Sequence, residues 1–123
     1  MLDLHGFVAE TNACNIFCVA GDRLLTPTAD ACLPGVTRSL VIDLCAELGI
    51  PCDERNVSLT EFVAADEVFT TGTMGELTPV VLIDHRQIGS GAPGPMVARL
   101  SKAFRTLIDR EGYFTPLPPV AAV

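Results

Sequence analysis

Glu10 follows the apolar stretch Phe7-Val8-Ala9 and precedes the polar step Thr11-Asn12. A carboxylate at the end of a strand can pair with a cationic ligand atom. Leu33-Pro34-Gly35-Val36-Thr37 stands at the mouth of a helical pattern. A helix start offers unpaired N–H groups and the positive end of the dipole. Gly35 lets backbone approach a ligand closely, and Thr37 adds a hydroxyl, so the segment could hold a phosphate. Gly72-Thr73-Met74-Gly75 joins two strand-like runs. A bend flanked by glycines can aim several amides at an anion. Taken singly, each segment also fits something ordinary: a solvated glutamate, a loop-to-helix turn, a tight connection. His5 and His85 are isolated, and no His, Asp or Glu spacing matches a metal site. No Ser–His–Asp order and no glycine-rich dinucleotide fingerprint occurs.

The elements that would carry these residues follow from periodicity. Ile16 to Ala20 and Arg23 to Thr26 flank Gly21-Asp22 and read as a β-hairpin, with glycine supplying positive φ. Phe7-Val8-Ala9 is expected as a strand beside it. Pro27 to Pro34 is loop. Val36, Leu40, Val41, Leu44, Cys45 and Leu48 then mark one helix face, with Arg38, Asp43 and Glu47 on the other. Gly49 fits a C-cap, and Pro51 stops the helix. Glu54 to Ser58 reads as an edge strand and Leu59 to Ala65 as a short helical turn. Val68 to Thr71 is a strand ending at Gly72, and Thr78 to Ile83 a β-rich run broken at Asp84-His85-Arg86. After a loop at Gly89 to Pro95, Val97, Leu100, Phe104 and Leu107 mark a second amphipathic helix. Strands interleaved with two main helices indicate an α/β domain over 1–114. The proline-rich tail 115–123 is expected to be extended or disordered.

Composition narrows the partners. Hydrophobic residues are 49% and charged residues 19% of 123, with mean hydropathy +0.41. Charge is scarce against the usual ~25%, which suggests a surface covered by another domain or subunit. A net charge of −7 argues against nucleic acid. No apolar run is long enough for a membrane span. The start lacks a signal-peptide layout, so a cytoplasmic chain is expected. Five cysteines, Cys14, Cys18, Cys32, Cys45 and Cys52, without a C-x-x-C pair suit reduced thiols better than a disulfide frame. Cys14 and Cys18 would share one face of a strand, where core packing is the favoured reading over a redox pair.

Four segments in order carry a resemblance. Val8-Ala9-Glu10-Thr11-Asn12-Ala13-Cys14-Asn15-Ile16-Phe17, then Leu33 to Arg38, then Ala65-Asp66-Glu67-Val68-Phe69, then Gly72-Thr73-Met74-Gly75-Glu76-Leu77-Thr78-Pro79-Val80 resemble the class IV, fold-type IV aminotransferases. That family includes branched-chain and D-amino acid aminotransferases and aminodeoxychorismate lyase. The resemblance runs from about Gly6 to about Glu111 and implies the carboxyl-terminal part of the family's large domain: a mixed sheet with two main helices. The Thr11-Asn12-Ala13 and Met74-Gly75 variants look closest to D-amino-acid and lyase-like members.

The resemblance implies pyridoxal 5'-phosphate as cofactor and, as partners, an amino acid, either branched-chain or D-configured, and a 2-oxo acid. Glu10 would face the pyridine nitrogen. There a carboxylate favours the protonated ring, which is the better electron sink. Leu33, Gly35, Val36 and Thr37 would form one phosphate turn, and Gly72 and Thr73 the second. Thr73 and Met74 would border the substrate, although many branched-chain members have alanine in place of Met74. The family's covalent lysine precedes the counterpart of Glu10. The single lysine here, Lys102, falls on the polar side of the late helix and reads as a surface residue. No catalytic residue is therefore assigned. The expectation is a truncated chain with negligible transamination and at most non-covalent cofactor. A lyase-like member, or a non-enzymatic cofactor- or partner-binding module, is the alternative. A homodimer is implied by the resemblance and the apolar composition together.

Overall fold

Strands β1 (Phe7–Val8), β2 (Asn15–Ala20) and β3 (Arg23–Thr26) open the chain in the computed structural model, which describes residues 1–112. The tail at 115–123 lies outside the described residues. β2 and β3 form the expected hairpin: Ala20 pairs with Arg23 across Gly21-Asp22, with Gly21 at φ 64. Helix α1 (Val36–Leu48) ends at Gly49 in the left-handed region, whose N–H closes onto the last turn. Then come β4 (Cys52–Glu54), β5 (Val57–Ser58), α2 (Leu59–Ala64), β6 (Glu67–Gly72), β7 (Glu76–Val80), β8 (Leu82–Ile83), β9 (Arg86–Gln87) and α3 (Pro95–Glu111).

A five-stranded mixed sheet runs β4-β3-β2-β6-β7, with only β3 and β4 parallel. The strands' period of two splits its residues between two cores. Phe17, Val19 and Phe69 face α1 and α3, packing on Val41, Leu44, Cys45, Val97, Leu100 and Phe104. Phe17 and Phe69 sit opposite each other and stack, ring centroids 5.1 Å apart. Ile16, Cys18 and Val68 face the other way, onto Phe62 of α2 and onto Val8 and Val57. Burial on both faces explains why β2 reads as a continuous apolar run rather than an alternating one.

Three readings of the sequence are revised. β1 does not join the hairpin. It pairs with β5, because the N–H of Ala9 is taken by the Met1 carbonyl and the Asp3 carboxylate holds the N–H of Phe7. The segment expected as one strand at Glu54 to Ser58 is two, β4 and β5, which belong to different sheets. Arg38 is buried at 4% exposure, not on the polar side of α1. It stands three residues before Val41 and seven before Cys45, on the inward stripe, and its guanidinium donates to Glu54 and to the Pro27 carbonyl at 2.6 and 2.8 Å. Thr37 is buried too, whereas Val36 projects outward.

Both other helices begin with a carboxylate. Ser58 and Glu61 form a reciprocal capping box at α2. Glu67, at the start of β6, reaches the first turn of α3 and accepts from the N–H groups of Met96 and Val97, each at 2.9 Å.

Candidate functional site

α1 starts differently. Gly35 occupies the N-cap position with extended backbone, no side chain caps the turn, and no acidic residue stands in it. Its free N–H groups face an open cleft of about 400 Å³, within the size range of small-molecule pockets. Three separate segments line that cleft. The β1–β2 connection supplies Glu10, Asn12, Ala13 and Cys14. The bend before α1 supplies Leu33 and Gly35, and the first turn of α1 supplies Val36 and Thr37. The end of β6 and its turn supply Thr71, Gly72 and Thr73. Glu10, Leu33, Gly35, Val36, Thr37, Gly72 and Thr73, picked from sequence, therefore surround one space. Met74 does not line it; its side chain is 97% exposed at the tip of the β6–β7 turn. Lys102 is exposed on α3 and borders a different groove, between α1 and α3.

The β2–β6 pairing fixes this arrangement. Asn15 sits directly opposite Thr71. That register brings the Glu10 segment beside the Gly72 turn. Gly72 leaves little room: a Cβ there would lie 3.2 Å from the Cys14 sulfur. Asn15 ties down the other side. Its amide Nδ2 donates to the Leu33 carbonyl at 2.8 Å, and a Cβ on Gly35 would meet its Oδ1 at 2.2 Å. The Leu33 N–H points to a carboxylate oxygen of Glu10 at 3.4 Å. Behind Leu33, burial pushes the Cys32 thiol above its ordinary value. It stays protonated and donates to the Thr28 carbonyl at 3.7 Å.

Sequence reasoning did not single out Asn15 or Thr71. A signal existed for both. Asn15, Phe17 and Val19 share one face of β2, so a buried amide ends an apolar row. Thr71 does the same on β6 after Phe69.

A phosphate fits these residues on one physical ground in particular. The Thr71 hydroxyl is buried and finds no hydrogen-bond partner in the protein, whereas such groups are nearly always paired. It borders the same cleft as the uncapped helix start and the Thr37 and Thr73 segments. No Lys or Arg lines the cleft among the described residues, so an anion there is met by amides, hydroxyls and the helix dipole. Among the described residues no cluster suits a metal ion, and no helix is long and apolar enough to cross a membrane.

The fold and this cleft define an aminotransferase-type chain, and it belongs to the family described as amino-transferase class IV, whose model matches residues 1–83. It is similar to the branched-chain-amino-acid aminotransferase-like protein 2 of Arabidopsis thaliana. The two are 56% identical over 118 residues, which is 96% of this chain and 21% of that protein. A branched-chain-amino-acid aminotransferase of Pseudomonas aeruginosa is 42% identical over 109 residues, covering 89% and 36% of the two chains. Among solved structures, the branched-chain aminotransferase of Escherichia coli superposes with TM-score 0.84 at 41% identity, covering 86% of this chain and 35% of that one. The T.th. branched-chain amino acid aminotransferase, solved with pyridoxamine 5'-phosphate, superposes with TM-score 0.84 at 36% identity, covering 88% and 36%. The chain thus spans between about a fifth and just over a third of the length of these proteins, and over that span it has the mixed sheet and helices of fold-type IV.

Proposed function

We propose that the cleft holds pyridoxal 5'-phosphate without a covalent bond, and that its place in the family is amino-group transfer between a branched-chain amino acid and a 2-oxo acid. The convergence of Glu10, the uncapped start of α1 and the Gly72-Thr73 turn on one cleft carries the reading. When bound, the cofactor supplies an electron sink for the bond broken at the substrate α-carbon. The residues of this chain do the rest of the binding work. Val36 and Thr37 amides, the Thr37 and Thr73 hydroxyls and the Thr71 hydroxyl take the phosphate. Glu10 takes the ring nitrogen and keeps its proton in place. Thr73 borders the substrate, and Met74, the next residue along the β6–β7 turn, projects into solvent.

Proton movement at the substrate needs a base that these residues do not bring to the cleft. Lys102 borders another groove, so the 123 residues by themselves bind and orient but do not transaminate. Calorimetric titration with pyridoxamine 5'-phosphate tests the binding half: the chain should bind it, and Glu10→Ala should bind clearly more weakly. Equal affinity for both proteins removes Glu10 from the ring-nitrogen role. Adding pyridoxal 5'-phosphate, reducing with borohydride and weighing the intact chain tests the other half. A single-site adduct formed in proportion to cleft occupancy contradicts the absence of an anchoring lysine.

A further inference from the structure

We propose that Asn15 is a positioning residue for the phosphate turn: its carboxamide holds the Leu33–Gly35 bend so that the first amides of α1 face a phosphate monoester. The proposal rests on the cofactor reading above.

Asn15 opens β2 and is 6% exposed. It shares a strand face with Phe17 and Val19, which belong to the helix-side core. A carboxamide on such a face must be paired or it costs stability. Nδ2 donates to the Leu33 carbonyl at 2.8 Å and lies 3.6 Å from the Cys32 sulfur. A carbonyl can only accept, so the nitrogen belongs on the Leu33 side and the oxygen on the Gly35 side. The oxygen fills the space that a Gly35 Cβ would need, at 2.2 Å. One amide therefore supports the bend at two points, two residues apart, by a hydrogen bond and by direct packing.

The same bend is linked to Glu10 through the Leu33 N–H. The Leu33 peptide thus stands between the carboxylate for the ring nitrogen and the turn for the phosphate. Asn15 itself is fixed in the sheet by pairing with Thr71. Sheet and turn are registered to each other through this side chain, and so is the separation between the two ends of the ligand. Losing the Nδ2 donor frees the Leu33 carbonyl to turn, and the amides of Val36 and Thr37 turn with it.

The test compares pyridoxamine 5'-phosphate with pyridoxamine, neither of which carries an aldehyde, by calorimetry on the full chain. Asn15→Leu keeps the branching and the number of heavy atoms and removes the donor. The preference for the phosphorylated ligand, read as the ratio of the two Kd values, should fall about tenfold while pyridoxamine affinity holds. A merely structural role lowers the folded fraction and weakens both ligands alike, leaving the ratio unchanged; that outcome overturns the proposal but not the cofactor reading. A wild-type chain without any preference for the phosphorylated ligand overturns both. Asn15→Ser, too short to reach the Leu33 carbonyl, makes the same comparison should the leucine variant not fold.

Discussion

Replacing Glu67 by glutamine tests whether a carboxylate docks α3 onto the sheet. Glu67 is nearly buried and accepts from two backbone N–H groups of the first turn of α3, each at 2.9 Å. A Cβ on Gly94 would strike this carboxylate, at 2.1 Å from its carbon, so the glycine makes room for the contact. Glutamine keeps one acceptor oxygen and turns an NH2 group toward the second N–H. Losing one charge-assisted hydrogen bond costs about 1.5–3 kcal/mol. Losing the charge at a helix start costs up to ~1 kcal/mol more. The expected destabilisation is therefore about 2–4 kcal/mol, a large share of the ~5–15 kcal/mol that holds a domain folded. Urea and thermal melts at pH 7 should show it, with Tm lower by roughly 8–20 °C. Glu76→Gln is the control. Glu76 meets Arg105 at 3.2 Å on the surface, and exposed pairs contribute about 0–1 kcal/mol. If the two variants melt alike, Glu67 does not dock the helix.

Two further outcomes are expected. The Arg55 guanidinium, with the Ser58 amide and hydroxyl, holds the Glu61 carboxyl down to about 2. A depressed folded value stabilises above the unfolded carboxyl range and is lost as pH falls through it. The stability gap between wild type and Glu61→Gln should thus be constant from pH 7 to about 5 and close between about pH 4.5 and 2; a gap that widens in acid contradicts the pairing. Burial pushes the Cys18 thiol up to about 12, and a hydrogen bond with the Cys52 thiol together with burial raises Cys45. Ellman titration at pH 8 should leave these two silent in the native chain and find all five thiols after unfolding; fast native reaction of more than three sinks this.

Local rules made much of this chain legible. The Gly21 hairpin, the Gly49 cap and the inward row Val97, Leu100, Phe104 depend on neighbours a few residues away, and periodicity finds those. What escaped depends on distant partners. Arg38 looks like a surface cation until Glu54 and the Pro27 carbonyl are placed beside it. β1 looks like a neighbour of β2 until β5 claims it. Glu67 reads as one more charge until α3 arrives. The site divides the same way. Glu10, the Gly35 bend and the Gly72 turn are ordinary one by one and stand out only as an ordered set, and they line one cleft. Asn15 and Thr71 sit inside apolar strands, and only the cross-strand register sets them opposite each other beside the cleft.

That register has a thermodynamic consequence. The cleft draws on three stretches of chain that meet only when β2 and β6 are paired. An unfolded or half-paired chain has no site, so a ligand of the cleft is also a ligand of the whole sheet. By linkage, a ligand present at a hundred times its Kd adds about 2.7 kcal/mol to the folded state. Supply of the cofactor proposed for this cleft would then set how long the chain survives proteolysis, independently of any turnover.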